Sequence, residues 1–451
     1  MNERILTLLE QKQYSEIKRL LKDMNAADIA VLLEDLPEET IPLLFRLLPK
    51  ELAAETFVEM ESDAQEMLIR GFSDTELKEV VDELYVDDAV DIIEEMPANV
   101  VGRILRSADS QIRQQINNIL KYPKDSAGSI MTTEYVDLKK NMTVADAIKR
   151  IRRTGLDKET IYTCYVTDSV RKLLGMVSAK TLLLAEDDDL LEDIMETNVI
   201  YCSTLDDQEE VANQLTKYDF MALPVVDGEQ RLVGIVTFDD AMDILEEETT
   251  EDIEKMAAIT PSDKPYLRTS VLQIFSKRIP WLLVLMVSAT FTGMIIASFE
   301  DSLAKFAVLT AFIPMLMDTG GNSGSQASVT IIRGLSLHEI NMRDIGRILW
   351  KESRVGMLTG VTLAAVNFGK IMLVDRLLLG NTSITPMVAA VVCLTLVATV
   401  FLAKLVGCSL PILAKRIGFD PAVMASPFIT TIVDALSLFI YLQVATVLLG
   451  L

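Results

Sequence analysis

The chain has 451 residues, half of them hydrophobic and 24% charged, with a formal net charge of −24. Residues 269–451 carry 13 Lys and Arg and 9 Asp and Glu, so their net charge is +4 and residues 1–268 carry −28, which indicates an acidic soluble module fused to an apolar membrane module. The acidity argues against nucleic acid as a partner, and one histidine (His338) with four cysteines that form no CxxC pair argues against a zinc centre, a disulfide framework and histidine-based catalysis.

Residues 1–125 are predicted to form an all-α, superhelical, acidic N-terminal domain. Their apolar periods are short and end repeatedly at prolines, as in residues 27–36 and 87–96, which indicates a succession of short helices. Residues 1–20 form a charged amphipathic pattern rather than the apolar core of a signal peptide. We therefore expect the N-terminus to be cytoplasmic.

Residues 126–245 contain an internal repeat. The sequence Ile130-Met-Thr returns as Ile194-Met-Glu, and Leu174-Gly-Met-Val-Ser returns as Val233-Gly-Ile-Val-Thr. Each copy is predicted to read strand, helix, strand, strand, helix, with the first helices at 144–154 and 209–216. The two copies, 126–188 and 189–245, resemble a tandem pair of α/β CBS domains, a family that senses ligands more often than it catalyses reactions.

A nucleotide is one ligand that this resemblance implies. In CBS domains a Thr/Ser-x-x-Asp sequence after the glycine-containing strand often contacts the ribose of ATP or another adenine nucleotide. Thr237 and Asp240 fit that pattern, whereas the first copy has Thr181 where the aspartate would stand. The same aspartate can equally serve as a helix cap, so both interpretations stay open.

The second copy runs into a helix of unusual acidity, predicted to connect to the membrane module over residues 246–270. Steps of three and four residues place five carboxylates on one stripe: Asp240, Asp243, Glu247, Glu251 and Glu254. Like charges at this spacing destabilise a helix, so the stripe requires counter-charge. A divalent cation and a solvated face are the two explanations, and the position next to the membrane favours cation sensing.

Five apolar segments can each cross a bilayer, so residues 271–451 are predicted to form a five-helix transmembrane domain. The segments are 281–299, 306–332, 355–374, 386–414 and 421–449. Most of the basic residues in this half lie at the ends and in the loops that face the acidic module. The charge bias and the odd number of spans predict a multi-pass protein of the cell membrane with its C-terminus outside.

Two carboxylates, Asp318 and Asp434, lie at membrane depth, where an ionised group needs a pore, a partner or water. Pro314 and the glycines near Asp318 are expected to loosen that helix and expose carbonyl groups beside a cavity, although close helix packing explains the glycines equally well. Asp434 is interpreted as a functional group rather than as a buried, hydrogen-bonded one. Lys370 and Lys404 are expected to reach towards the membrane surface and receive no role.

The oxygen-rich set of polar groups in these spans, with no imidazole, favours a hard cation such as Mg²⁺ or Ca²⁺. The sequence Asp420-Pro421 reads as a helix N-cap and also places a carboxylate at the cytoplasmic end of the last span.

The domain order and these motifs resemble the MgtE family of magnesium channels. The residues that carry the resemblance are Pro314 with Gly320-Gly-Asn-x-Gly-x-Gln326, Thr250-Glu-Asp252, and Asp420-Pro with Pro427-x-x-x-Thr-x-x-Asp434. The resemblance implies a homodimer with a central pore lined by the second and fifth spans. Asp434 then corresponds to the selectivity carboxylate for hydrated Mg²⁺, and Asp420 to a carboxylate near its cytoplasmic end.

The same resemblance implies further site residues. The regulatory Mg²⁺ ligands would be Asp207, Glu209, Asp240, Asp243, Glu248, Glu251, Asp252, Asp87 and Asp91. The pore lining would include Pro314, Gly320, Gly321, Asn322, Gly324, Gln326, Ser426, Pro427, Thr430 and Thr431. At position 426 some relatives are expected to have a larger amide side chain, so Ser426 departs from the family pattern.

The predicted function is a Mg²⁺-selective channel that imports Mg²⁺ and closes when cytosolic Mg²⁺ binds the acidic region. Its partners would be a second copy of the chain, the lipid bilayer, Mg²⁺ and other divalent cations, and no enzymatic activity is expected because no ATPase motif is present. Two alternatives stay open: a divalent-cation transporter coupled to Na⁺ or H⁺, and a nucleotide-sensing CBS regulator anchored by its spans.

Overall fold

The computed structural model describes residues 2–262, 266, 267, 269–337, 339–424 and 426–450. It divides into two compact units, residues 1–245 and 246–451. His338 and the side chain of Ser426 lie outside the described part of the chain.

The first 125 residues, as far as they are described, are helical throughout. Their α-helices are α1 Asn2–Glu10, α2 Tyr14–Lys22, α3 Ala26–Glu34, α4 Ile41–Phe45, α5 Lys50–Val58, α6 Ser62–Gly71, α7 Asp74–Val81, α8 Val86–Glu95, α9 Ala98–Ser107 and α10 Ser110–Ile119. Pro49 and Pro97 occupy the N-cap positions of α5 and α9, because proline lacks the N–H that a helix interior would require. The helices predicted at 27–36 and 87–96 are confirmed as α3 and α8.

The repeat folds into two small three-stranded sheets. The first copy contains β1 Asp137–Lys139, α11 Val144–Thr154, β2 Thr163–Thr167, β3 Leu173–Ser178 and α12 Ala179–Leu184. The second begins with the short helix α13 Leu191–Ile194 and contains β4 Cys202–Ser203, α14 Gln208–Tyr218, β5 Ala222–Val226, β6 Leu232–Thr237 and α15 Phe238–Met256. In each sheet a parallel pair is followed by an antiparallel pair, so the predicted order of elements is confirmed.

The repeated motifs pack against one another across the pair. A Cβ on Gly234 would lie 2.6 Å from Met131 Sδ, and one on Gly175 would lie 2.8 Å from Met195 Sδ. The Thr132 amide donates to the Ile235 carbonyl at 2.9 Å, which brings the start of the first copy against the last strand of the second. The Ile-Met and Gly repeats therefore recur because each methionine needs a glycine opposite it.

The acidic connecting helix is shorter than predicted. Helix α15 ends at Met256 rather than continuing to residue 270, and Ala258 beyond it has a φ of 56°. Pro261 follows, and the residue before a proline avoids the helical region of backbone conformation. The Lys277 ammonium donates to the carbonyl of Pro261, close to the start of the next helix.

The remaining helices are α16 Val271–Ser298, α17 Glu300–Lys305, α18 Ile313–Ser336, α19 Ile345–Lys370 with a π-helical extension Ile371–Leu378, α20 Pro386–Arg416 and α21 Ser426–Leu449. Within the described residues four stretches are long and apolar enough to cross a membrane: 271–298, 342–378, 386–416 and 421–449. Helix α18 has 24 residues but is rich in glycine, serine and other polar groups, and its crossing of the membrane as the second span stays a prediction.

Helix α18 is continuous, so the expectation of a loosened, carbonyl-exposing helix was wrong. Pro314 lies in its first turn, where the absent N–H breaks no hydrogen bond. A Cβ on Gly320 would lie 2.6 Å from Thr399 Cγ2, and one on Gly324 would lie 2.9 Å from Ile429 Cγ2. These glycines let α18 pack closely against α20 and α21, which confirms the packing interpretation.

Candidate ion path and cation-binding clusters

A cavity of about 480 Å³ lies between α18 and α21. Its lining residues are Ile313, Pro314, Met317, Asp318, Gly321, Asn322, Thr430 and Asp434. The lining thus combines two carboxylates, one amide and one hydroxyl group with apolar side chains, and it includes no Lys or Arg. Oxygen ligands without a fixed positive charge are the environment that a hard cation requires.

Asp434 reaches the cavity because α18 and α21 approach closely there. A Cβ on Gly321 would lie 3.0 Å from Thr430 Cγ2 and 3.7 Å from Asp434 Oδ1, so a larger residue would occupy the space in front of the carboxylate. Asp434 is half-buried and makes no hydrogen bond or ion pair with the described residues. It is therefore available to a ligand.

The other predicted pore residues divide into three groups. Gly320 and Gly324 lie in the helix-packing interface rather than on the cavity. The hydroxyls of Thr430 and Thr431 both donate to the carbonyl of Pro427, at 2.9 and 3.0 Å, in the first turns of α21. Gln326 lies beyond the cavity lining, and Ser426 cannot be assessed because its side chain is outside the described residues.

Gln326 contacts Lys404, for which the sequence predicts no function. Lys404 is only 6% exposed, and its Nζ lies 3.5 Å from Gln326 Oε1. Gly356 leaves room for the lysine stem, since a Cβ there would lie 3.4 Å from Lys404 Cβ. The expectation that Lys404 reaches the membrane surface was wrong, because the glycine on α19 gives it space within the helix bundle.

A second polar cluster joins the end of α15 to the segment before α21. The Lys255 ammonium lies 2.6 Å from Glu251 Oε1 and 2.7 Å from Asp420 Oδ2. Asp252 accepts a hydrogen bond from the Ser336 hydroxyl at 3.0 Å. Of the predicted ligands, Glu251 and Asp420 are therefore brought together, and a lysine lies between them.

The electrostatics of this cluster follow from its partial burial. Burial lowers the pKa of Lys255, but hydrogen bonds to Asp420 and Glu251 outweigh that effect and leave the pKa above its ordinary value. Burial raises the pKa of Asp252, against the opposing effect of its Ser336 hydrogen bond. Asp420 also accepts from the Ala422 amide at 2.8 Å, which confirms its capping role. Sequence reasoning missed Lys255, although it stands four residues after Glu251 in the last turn of an acidic helix, where a cation is favourable.

A third cluster gathers carboxylates from the helical domain and both CBS copies. Asp87 is 5% exposed, and its Oδ1 has no hydrogen-bond partner among the described residues. Burial and the negative charge of Asp240 raise the pKa of Asp87 well above its ordinary value. Burial likewise raises the pKa of Asp240 to about 6, although the Thr237 hydroxyl, which donates to it at 2.5 Å, lowers it.

Two members of this cluster were not predicted. Burial and the charges of Asp240 and Asp239 raise the pKa of Asp88 to about 7, and burial and Asp240 raise the pKa of Glu159 to about 8. Glu159 Oε2, like Asp87 Oδ1, is buried without a partner in the described part of the chain. The two adjacent aspartates, Asp87 and Asp88, are recognisable in the sequence, whereas Glu159 lies in a loop 71 positions after Asp88 and belongs to no local pattern.

The remaining predicted ligands are less concentrated. Asp207 caps α14 and accepts from the Glu209 amide at 3.0 Å. Asp91 is an exposed residue one turn after Asp87 on α8, and Asp243 and Glu248 lie on α15. Among the described residues no three His, Cys, Asp or Glu side chains are arranged to hold a metal ion within one chain. The nine residues predicted as regulatory ligands therefore do not form a complete metal site by themselves.

Together, the long apolar helices and the carboxylate-lined cavity are the features of a membrane transport protein, and the α/β repeat has the organisation of a CBS pair. Three family models match the chain: a divalent cation transporter model (MgtE) at residues 313–444, the MgtE intracellular N domain at 24–125, and CBS domains at 127–188 and 191–247.

The chain is also similar to characterised transporters. It is 38% identical to the magnesium transporter MgtE of Thermus thermophilus over 80% of this chain and 78% of that protein. It is 33% identical to the Bacillus subtilis magnesium transporter MgtE over 86% of this chain and 84% of that protein. The chain belongs to the MgtE family of magnesium transporters, whose function is not enzymatic.

A solved structure matches the first half. The cytosolic domain of the Mg²⁺ channel MgtE in complex with ATP superposes with a TM-score of 0.52 at 33% identity, covering 54% of this chain and all of that one.

Proposed function

We propose that this protein is a Mg²⁺-selective channel that imports Mg²⁺ and is closed by cytosolic Mg²⁺. The observation that carries the proposal is Asp434, a carboxylate that has no hydrogen-bond or ion-pair partner among the described residues and lines a cavity between two predicted membrane spans. A charge at membrane depth is costly unless it faces a permeating ion or water, so its retention points to transport rather than to anchoring.

The cavity suits a hydrated divalent cation. Mg²⁺ gives up its waters reluctantly and is held through few carboxylates with its water shell kept. Six waters occupy roughly 180 Å³, at about 30 Å³ each in the liquid, whereas the cavity has about 480 Å³. Asp434 would hold the ion through water, and the Thr430 and Asn322 side chains would offer further oxygens.

The functional unit that we propose is a homodimer in the cell membrane. Two-fold symmetry would place two copies of Asp434 across a central pore, doubling the charge that faces the ion. The excess of Lys and Arg in the loops between the second and third and between the fourth and fifth predicted spans supports a cytoplasmic N-terminus and a C-terminus outside. Inward flow then needs no chemical coupling, because 100 mV supplies about 4.6 kcal/mol for a divalent ion.

Closure by Mg²⁺ rests on a group of buried carboxylates that has no Lys or Arg ion pair among the described residues. Asp87, Asp88, Asp240 and Glu159 are crowded and largely buried, so a conformation that holds them together is costly until a cation binds. The further regulatory ligands that we propose are Asp91, Asp207, Glu209, Asp243, Glu248, Glu251 and Asp252, whereas Asp420 is proposed as a carboxylate near the cytoplasmic end of the pore. Mg²⁺ must bind the closed state more tightly, and several sites that each contribute about 1–3 kcal/mol are sufficient.

ATP or another adenine nucleotide is the second ligand that we propose for the CBS pair. The ATP-bound cytosolic domain of the similar channel supports this proposal. Thr237 and Asp240 are the proposed ribose contacts, and the neighbouring carboxylates would repel a free triphosphate. Nucleotide is therefore expected to bind as its Mg²⁺ complex, so that nucleotide and Mg²⁺ act in the same direction.

The decisive test is Mg²⁺ flux into proteoliposomes that contain the purified full-length protein and a Mg²⁺-sensitive dye. With an inside-negative potential and no Na⁺ or H⁺ gradient, wild-type protein should carry Mg²⁺, and Asp434→Asn should lose most of that flux. Glu339→Gln is the matched control, because it removes an exposed carboxylate from the loop between α18 and α19. Flux that appears only with a Na⁺ or H⁺ gradient would establish the coupled transporter. Absence of any Mg²⁺ flux would favour the anchored regulator.

A further inference from the structure

Asp318 is a second carboxylate on the same cavity as Asp434. It lies on α18 and Asp434 on α21, 116 positions apart in the chain, and both side chains line the space of about 480 Å³. The site residues predicted from the sequence did not include Asp318, because sequence spacing could not place it opposite Asp434.

The surroundings of Asp318 offer it an amide but no cation. Asn322, one turn further along α18, donates from Nδ2 to Asp318 Oδ1 at 3.1 Å. The second oxygen, Oδ2, receives no hydrogen bond from the described residues, and the lining contains no Lys or Arg. An amide that holds one carboxylate oxygen orients the other without neutralising its charge. The exposed side of Asp318 therefore presents a fixed negative charge to the cavity.

Two carboxylates on one cavity favour a divalent over a monovalent ion. The Coulomb energy between a carboxylate and an ion scales with the ion's charge, so each added carboxylate attracts Mg²⁺ twice as strongly as it attracts K⁺ or Na⁺. The cavity is large enough for the ion to keep its water shell between the two carboxylates.

We propose that Asp318 contacts the water shell of the permeating divalent cation opposite Asp434 and helps to set the selectivity for divalent over monovalent ions. Asn322 is then a positioning residue, which holds the Asp318 carboxylate at the cavity. This inference rests on the proposed channel function and assigns a second charged residue to the same ion path.

The test compares Mg²⁺ and K⁺ permeation through full-length protein in proteoliposomes. For Asp318→Asn we expect the ratio of Mg²⁺ to K⁺ flux to fall roughly tenfold, since the ion loses one of its two charged contacts. Asp318→Glu keeps the charge and should restore most of the ratio. Glu339→Gln should leave it unchanged, and Asn322→Ala should give a smaller decrease than Asp318→Asn.

The outcomes separate this inference from the channel proposal. If wild-type protein carries Mg²⁺, Asp434→Asn abolishes that flux, and Asp318→Asn keeps the wild-type ratio, then the role of Asp318 is refuted while the channel stands. If wild-type protein carries no Mg²⁺, the channel proposal fails first. If Asp318→Asn and Asp318→Glu lower the ratio of Mg²⁺ to K⁺ flux equally, while both variants still elute as dimers in size-exclusion chromatography, then Asp318 acts through packing rather than charge. That result would also overturn the inference.

Discussion

The ammonium of Lys255 lies 2.7 Å from the carboxylate of Asp420, and both belong to the second compact unit. The same ammonium lies 2.6 Å from Glu251, so the chain places its own cation between two carboxylates that were predicted to bind Mg²⁺. Met256, the next residue, packs against Ile332 and Ala422. The end of the acidic helix is therefore attached to the segment before the last span by one ion pair and one apolar contact.

Replacing Lys255 should weaken this attachment. In Lys255→Met the two carboxylates lose their shared partner, so the arrangement is favourable only when a divalent cation replaces the ammonium. We expect higher flux than wild type when cytosolic Mg²⁺ is near zero, and restored closure at millimolar Mg²⁺. Patch-clamp recording of inside-out membranes measures both. Lys255→Arg keeps the charge and serves as the control, and unchanged flux at low Mg²⁺ would show that the ion pair has no part in gating.

Neutralising the acidic ligands should abolish closure. The fourfold variant Asp240→Asn, Asp243→Asn, Glu251→Gln and Asp252→Asn removes charges that Mg²⁺ is proposed to bridge. We expect it to stay open at Mg²⁺ concentrations that close the wild type. The control carries the same number of charge changes on exposed residues around the junction of the two CBS copies, at Glu186, Asp187, Asp188 and Asp193. Wild-type inhibition of the fourfold variant would exclude these residues as the sensor.

The cluster around Asp87 should make stability depend on pH. In the unfolded chain the carboxyl groups of Asp and Glu have pKa values of about 4. The folded protein has pKa values of about 6 for Asp240, about 7 for Asp88 and about 8 for Glu159. The pKa values of these carboxyl groups are higher in the folded protein than in the unfolded chain. Their stabilising contribution to the free energy of unfolding is therefore fully present below about pH 4 and is lost as the pH rises through 6 to 8.

We therefore expect that, in the presence of EDTA, the melting temperature of the full-length protein in detergent falls between pH 5.5 and pH 8. Mg²⁺ should raise it more at pH 8, where the carboxylates are ionised, than at pH 5.5. Glu159→Gln should reduce both effects. A Mg²⁺-induced shift of equal size at the two pH values would contradict this account.

The contact between α18 and α20 predicts a large effect from a small substitution. A Cβ on Gly407 would overlap the carbonyl oxygen of Gly324, so Gly407→Ala must push the two helices apart. We expect a loss of about 1–3 kcal/mol in the free energy of unfolding, as in other overpacked sites. Gly369→Ala is the control, because no atom lies within 4 Å of its added methyl group. Equal stability of the two variants, measured by thermal unfolding in detergent, would show that the helices can separate at no cost.

Local patterns predicted most of the architecture. Helix α11 has the predicted bounds, Val144–Thr154, because apolar periodicity and a Thr143 cap are both local signals. The repeat in residues 126–245 predicted two copies of one α/β unit, and the structure explains it by the reciprocal contacts of Met131 with Gly234 and of Met195 with Gly175. The end of α15 at Met256 was missed, although Pro261 follows within a few residues, because no local signal marked the left-handed backbone conformation of Ala258.

By itself, the sequence determined the division into an acidic and an apolar half, the order of the domains, the membership of the MgtE family and the presence of a carboxylate, Asp434, within an apolar span. Only the tertiary structure decided that α18 is unbroken, that Lys404 lies inside the bundle, that Lys255 pairs with Asp420, and that Asp318 shares a cavity with Asp434. The physical reason is the range of the interactions. Periodicity, caps and charge bias act within a few residues, whereas burial and ion pairing depend on which distant helices are packed together.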